Sequence, residues 1–147
     1  MGMIEEVGAH LAANSTKFVA GTTLFYHSLP ESTDDAKPSC GLFEAFGLTP
    51  IRTMNGANLP PIERPAVRVI CRSTSAETAD VPSPVNARVL AQKAWHILER
   101  TIDVTLSGTT YLRIEPAHSP YAIGRDEVGR HLFQFTAYIE RKPSTSN

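Results

Sequence analysis

The feature that most constrains the fold of this chain is a helix-type repeat over residues 84–100, PVNARVLAQKAWHILER. Apolar side chains return every three or four positions along it, a spacing that places them on one face of an α-helix. They are Ala87, Leu90, Ala91, Ala94, Ile97 and Leu98. Ser83 is a suitable N-cap, and Pro84 fits the first turn because its missing N–H would have no helical partner there. Such an apolar stripe must be buried against another element.

A shorter repeat of the same kind opens the chain and predicts a second helix over Met3–Asn14. Its apolar face carries Ile4, Val7 and Leu11. Acidic residues in its first turn suit the positive end of the helix dipole. The sequence therefore predicts two helices, each with one face to bury.

Two segments show the strict two-residue alternation that is typical of half-buried strands. In residues 66–73 the apolar set that faces one way is Val67, Val69 and Cys71. In residues 130–142 the corresponding set is Phe133, Phe135, Ala137 and Ile139. Each segment is therefore expected to place one face against the helices.

Runs rich in Thr, aromatic and aliphatic residues predict three more strands, at residues 21–29, 40–48 and 109–115. The first two are expected to pair as a hairpin across the polar turn at residues 30–38. Because neighbouring strands are joined by turns, we predict an α+β fold with a mainly antiparallel sheet of about four to five strands and two helices packed on one face. Residues 1–147 are expected to form a single domain.

Residues 47–65, GLTPIRTMNGANLPPIERP, are the most irregular part of the chain, with four prolines and two glycines. The dipeptide Asn55-Gly56 is typical of a type I′ turn. Apolar residues stand on both sides of this turn, so we predict a projecting, hairpin-like arm. An arm with few residues of its own to bury these side chains indicates a partner surface. The tail at residues 143–147 is expected to fray.

Charge and hydropathy exclude several classes of protein. Fourteen Lys and Arg residues against fifteen Asp and Glu give a net charge of −1, which argues against binding nucleic acid or an anionic membrane by bulk charge. No apolar run approaches the roughly 18 residues of a membrane span, and the N-terminus lacks the pattern of a signal peptide. We therefore expect synthesis in the cytoplasm and no membrane partner.

Residues that carry chemistry crowd only one segment, the loop between residues 118 and 131. It holds His118, Ser119, Asp126, Glu127 and His131. No G-x-S-x-G motif accompanies them, and their spacing matches no common metal site. Asp126 is instead suited to bonding the N–H groups of a tight turn. We predict no catalytic, metal-binding or cofactor-binding residues.

Two cysteines and one tryptophan leave alternatives open. Cys40 and Cys71 lie in apolar runs and are too few for a zinc site, so they are expected to be buried thiols that can pair only if their strands are neighbours. Trp95 lies just off the helical stripe, where it suits either the boundary of the core or a subunit contact.

The last third of the chain resembles a known family. Its segments are LSGTTYLRIEP at residues 106–116, SPYAIGRDEVGR at 119–130 and HLFQFTAYIER at 131–141. They are similar to the minor capsid or tail terminator proteins of bacteriophages with long non-contractile tails. The N-terminal IEEVGAHL and the helix at 84–100 also resemble elements of that family, whereas the arm at 47–65 has no counterpart in it.

This resemblance implies a virion protein of the tail or neck that forms a ring, commonly a hexamer. The ring would cap the tail tube, join it to the head–tail connector and let DNA pass through its centre. We expect the contacts with neighbouring subunits and partners at Arg52, Met54, Asn55, Asn58, Tyr121, Arg125 and Asp126. The alternatives are another neck component, such as a stopper or head-completion protein, and a small α+β enzyme or ligand-binding module that uses the 118–131 loop.

Overall fold

The computed structural model describes residues 2–30, 37–51, 62–74, 83–127 and 129–142. In chain order the elements are α1 (Met3–Asn14), β1 (Leu24–Tyr26), β2 (Ser39–Ile51), β3 (Ile62–Arg72), α2 (Ser83–Glu99), β4 (Ile102–Leu106), β5 (Thr109–Pro116), β6 (Tyr121–Arg125) and β7 (His131–Lys142). The predicted α+β class and both predicted helices are confirmed.

The described strands form one sheet in the order β1-β2-β3-β7-β5-β4. The last strand of the chain, β7, lies near the middle of the sheet and pairs with β3 along one side. Along its other side it pairs with β5 near its C-terminal end and with β6 near its N-terminal end. All these pairs are antiparallel, so the prediction of a mainly antiparallel sheet is confirmed.

The predicted count of four to five strands is wrong, because the described sheet has seven. The two unpredicted strands, β4 and β6, are five residues long and mostly exposed, so they lack the alternation that marks a half-buried strand. Asp103 in β4 and Gly124 in β6 also have positive φ angles, which local propensity does not favour in a strand.

The predicted hairpin between residues 21–29 and 40–48 is also wrong. The two strands are neighbours, but β1 runs parallel to β2, with Leu24 opposite Cys40 and Tyr26 opposite Leu42. Parallel neighbours need a connection of about a dozen residues or more, and residues 27–38 between β1 and β2 are long enough to provide it.

One hydrophobic core lies between the helices and the sheet. The α1 residues Ile4, Val7 and Leu11 are buried, as is the stripe of α2 except Ile97, which is partly buried. The inward residues of β3 and β7 complete the same cluster, as their alternation predicts. Both helices therefore pack on one face of the sheet.

In the part of the chain that the structure describes, neither helix has the length and apolar character needed to span a bilayer.

Candidate interaction surface

The ends of the predicted arm are strands. β2 continues to Ile51 and β3 begins at Ile62, so the two form a ribbon, which we define as residues 46–51 together with residues 62–65. Across it Leu48 pairs with Arg64, and two register shifts interrupt the ladder. The predicted contact residues of the arm, Arg52, Met54, Asn55 and Asn58, lie outside the described residues.

The ribbon carries the most exposed large apolar side chain of the described residues. Phe46 is 99% exposed, and Leu48 and Ile51 are exposed beyond it on the same strand. Single exposed apolar residues are common, whereas a group of them on one surface is a feature of interaction sites.

The ribbon also lies at an open edge of the sheet. On its outer side β2 pairs with β1 only from Cys40 to Leu42, and the described residues pair no other strand with that side. An edge of this kind presents backbone N–H and C=O groups in the geometry that a further strand would bond. Exposed apolar side chains and a strand edge with no described partner strand therefore coincide in residues 46–51, although Pro50 has no N–H and Thr49 O already accepts a hydrogen bond from Arg64 Nε.

Of the loop residues predicted as contacts, Tyr121 and Arg125 lie on β6 and are exposed. The hydroxyl of Tyr121 accepts a hydrogen bond from Gln134 Nε2 at 2.9 Å, and its ring contacts that of His118. Both residues are accessible on the strand that sequence reasoning expected to be a loop.

Asp126, the third predicted contact in this loop, closes the turn between β6 and β7. Its Oδ1 accepts a hydrogen bond from Arg130 N at 2.9 Å, and its Oδ2 accepts one from Arg130 Nε at 2.7 Å. The guanidinium of Arg130 is buried, so this ion pair is held away from water. The prediction that Asp126 bonds N–H groups of a tight turn is confirmed.

Trp95 ties α2 to the segment between β5 and β6. Its ring packs against the core at the edge of the cluster, and its Nε1 donates a hydrogen bond to the carbonyl oxygen of His118 at 3.0 Å. The structure therefore places Trp95 at the core boundary, one of the two positions that the sequence left open.

Both histidines of the 118–131 segment also have hydrogen-bond partners. His118 Nδ1 bonds to the carbonyl oxygen of Ser119, and the backbone N–H of His131 donates to Ser73 Oγ, just after β3. Within the described ranges, no three His, Cys, Asp or Glu side chains gather closely enough to hold a metal ion.

A buried polar cluster between α1 and the sheet was missed by sequence reasoning. Glu6 is 4% exposed and hydrogen-bonds to the fully buried Tyr111, whose hydroxyl accepts a long bond of 3.5 Å from Arg141 Nη1. Arg141 Nε also donates to Glu63 Oε2 at 2.8 Å. Burial raises the pKa of Tyr111 to about 12, so this phenol stays protonated. The signal in the sequence was the alternation at the start of β5, which places Tyr111 on the same buried face as Thr109.

A cavity of about 470 Å³ lies between the segment that follows α1 and the first half of α2. Its walls include Val19, Val85, Val89 and two lysines, and no His, Cys, Asp or Glu of the described residues lines it. Of the described residues that line it, Lys17, Lys37, Thr16 and Thr23 carry the groups that could act as bases or nucleophiles.

Comparison with models of known protein families gives no match for this sequence, and no curated protein matches it. The resemblance of residues 106–141 to tail terminators therefore stays a prediction. Besides this resemblance, the exposed apolar residues and the open strand edge of the ribbon are the observations that bear on the function.

Proposed function

We propose that this protein is a structural subunit of a phage neck, a tail terminator that assembles into a closed ring through the ribbon. The observation that carries the proposal is Phe46, 99% exposed on an open strand edge. Burying a phenylalanine side chain is worth about 1.5–3 kcal/mol, a free energy that the isolated chain forgoes at this position. A partner that covers the ribbon recovers it.

The two edges of the sheet support a ring in particular. A closed ring uses heterologous contacts, in which one patch of a subunit meets a different patch of the next. The described sheet ends in β2 and the short β1 at one edge and in β4 at the other, where Ile102 is 68% exposed. Two unlike apolar edges on opposite sides of one subunit are what such a ring requires.

The resemblance supplies the identity of the ring. Residues 106–141, which resemble tail terminators, include β5 and β7 and therefore the centre and one side of the sheet. A terminator acts by shape, because one face of its ring matches the last ring of the tail tube and the other face matches the connector. Near-neutral charge suits a channel through which DNA passes without being held.

The variant Phe46→Ala tests the ribbon. We expect it to weaken association about tenfold to a hundredfold, as the loss of one buried phenylalanine implies. Light scattering coupled to size-exclusion chromatography, with negative-stain imaging in the presence of purified tail tubes, measures the effect. Thermal unfolding of the monomer should hardly change, since Phe46 contributes little to the core.

Val89→Ala is the matched control, because Val89 is also an exposed apolar residue but lies on α2. Equal assembly of the Phe46 and Val89 variants would contradict the role of the ribbon.

Purified connectors, offered in parallel with tubes, distinguish a terminator from a stopper: a protein that decorates connectors alone is a stopper or head-completion protein. Failure to bind either tubes or connectors would contradict a role in the phage neck.

A further inference from the structure

The two cysteines of the chain lie opposite each other in the sheet. Cys40 on β2 and Cys71 on β3 are register partners in the antiparallel pair, and both are fully buried. Their side chains point to the same face, toward the core that the helices cover. The sequence left open whether these strands are neighbours, and the observed register shows that they are.

The backbone hydrogen bonds identify the kind of pair. The N–H of Cys40 donates to Thr23 O at 2.7 Å and so points away from β3. Just after β3 the N–H of Ser73 donates to His131 O, and the N–H of Cys71, two residues earlier, points toward β7 in the same way. The two cysteines therefore form a non-hydrogen-bonded pair, the closer of the two kinds in an antiparallel ladder.

This closeness is compatible with a disulfide. In non-hydrogen-bonded pairs the Cα atoms are about 4.5 Å apart, and disulfides span Cα separations of about 4.4–6.8 Å. The thiols are also in contact, because hydrogen bonding with Cys40 is the largest cause that raises the pKa of Cys71, with burial second. A pair in this register therefore needs little movement of the strands to form the bond.

We infer that Cys40 and Cys71 are a cross-linking site: in the presence of a small disulfide such as oxidised glutathione they form an intrachain disulfide that closes β2 on β3. The inference does not depend on the proposed function, since it rests on register, hydrogen bonding and burial alone. The bond lies on the same strand pair as the ribbon and therefore restrains its base.

The reaction is two successive exchanges. The thiolate of one cysteine attacks the small disulfide, forms a mixed disulfide and releases one small thiolate. The thiolate of the other cysteine then attacks the protein sulfur of that mixed disulfide and releases the second. The two protons lost by the cysteines pass to the released thiolates, so two protein thiols and one small disulfide become one protein disulfide and two small thiols.

Burial sets the rate of this reaction. The small disulfide cannot reach either sulfur atom in the closed sheet, and a raised pKa keeps the Cys71 thiol protonated. Exchange is therefore slow in the native protein and rapid while the chain folds. An oxidising compartment or an opening of β2 from β3 is the condition under which the link forms.

The experiment refolds the full chain from guanidinium chloride in a mixture of reduced and oxidised glutathione, followed by alkylation and intact-mass analysis. We expect one intrachain disulfide, no glutathione adduct, and a midpoint of thermal unfolding higher than that of the reduced protein by on the order of 10 °C. A second cycle of unfolding and refolding in the presence of a reductant should reverse both changes. Free thiols or glutathione adducts on the folded protein would overturn the inference, as would a lower midpoint for the cross-linked form.

A displaced pair is the matched control. Cys71→Ala combined with Val69→Cys keeps two thiols on the buried face but places them diagonally, about 7–8 Å apart at Cα, beyond the reach of a disulfide. This double variant should remain reduced or carry glutathione under the same conditions. If it cross-links as readily as the natural pair, proximity in the native register is not the cause and the inference fails.

Discussion

Glu6 shows how one buried side chain couples the first helix to the sheet. Its carboxyl group reaches Tyr111 from the first turn of α1, and Oε2 has no hydrogen-bond partner among the described residues. Burial raises the pKa of Glu6 above its usual 4.5, although the bond with Tyr111 and the charge of Arg141 oppose the shift. The folded protein therefore holds this proton more tightly than the unfolded chain does.

The sign of the pH dependence follows by linkage. At a pH between the pKa of Glu6 in the unfolded chain and its raised pKa in the folded protein, the folded state binds more protons than the unfolded state. The stabilisation that comes from protonated Glu6 is therefore complete below about pH 4.5 and is lost as the pH rises through the folded pKa. The variant Glu6→Gln removes this pH-dependent contribution. We expect the free energy of unfolding of the variant to increase relative to that of the wild type as the pH rises.

Urea unfolding at several pH values between about 4 and 7, a range that begins near the ordinary carboxyl pKa, measures the difference in unfolding free energy between variant and wild type. Glu44→Gln, at an exposed position on β2, is the control and should run parallel to the wild type. A constant difference between the Glu6 variant and the wild type at every pH would contradict the assigned role of Glu6.

At the scale of the element, the ribbon depends on a glycine at its bend. A Cβ atom on Gly47 would collide with the carbonyl oxygen of Arg64 and lie 2.7 Å from Pro65 Cα, and neither backbone atom can turn aside. The side chain of Arg64 in turn donates from Nε to Thr49 O at 2.7 Å, across the ribbon. Close backbone approach and this side-chain bond together shape the bulged strand pair.

Gly47→Ala should therefore separate β2 from β3 within the ribbon and leave the core intact. We expect a loss of about 1–3 kcal/mol in unfolding free energy, faster amide hydrogen exchange confined to residues 46–51, and weaker association. Gly2→Ala is the control, because a Cβ there meets only the flexible end of the Glu5 side chain. Unchanged exchange in the ribbon of the Gly47 variant would show that the close approach is not required.

At the scale of the whole molecule, the core closes only when the last strand is in place. β7 lies between β3 on one side and β5 and β6 on the other, so it joins segments that are far apart in the chain. Its inward side chains, among them Phe135, contact the same cluster as both helices. Removing volume from β7 therefore weakens the whole domain rather than one edge.

Phe135→Ala should cost about 3–5 kcal/mol of unfolding free energy, through lost burial and the cavity it leaves. That is a large part of the 5–15 kcal/mol typical of a domain. Thr136→Ala, next along β7 but on the opposite, half-buried face, should cost far less. Urea unfolding compares the two, and similar losses would contradict a core built on one face of the sheet.

Local spacing in the sequence by itself determined the two helices, the inward faces of β3 and β7, and the turn that Asp126 closes. These features depend on side chains within one or two turns or along one strand, and the repeat of the backbone fixes where such neighbours point. For the same reason the ends of the arm were recognisable as a hairpin-like pair. The short exposed strands β4 and β6 were not, because they bury no face that a period could reveal.

Only the tertiary structure decided which strands are neighbours and in what register. The parallel pairing of β1 with β2, the apposition of Cys40 and Cys71, and the contact of Glu6 with Tyr111 each join residues distant in sequence. The exposure of Phe46 was decided in the same way, because an apolar residue is free only where no other element covers it. Such arrangements follow from packing the whole chain around one core, a balance that no local pattern contains.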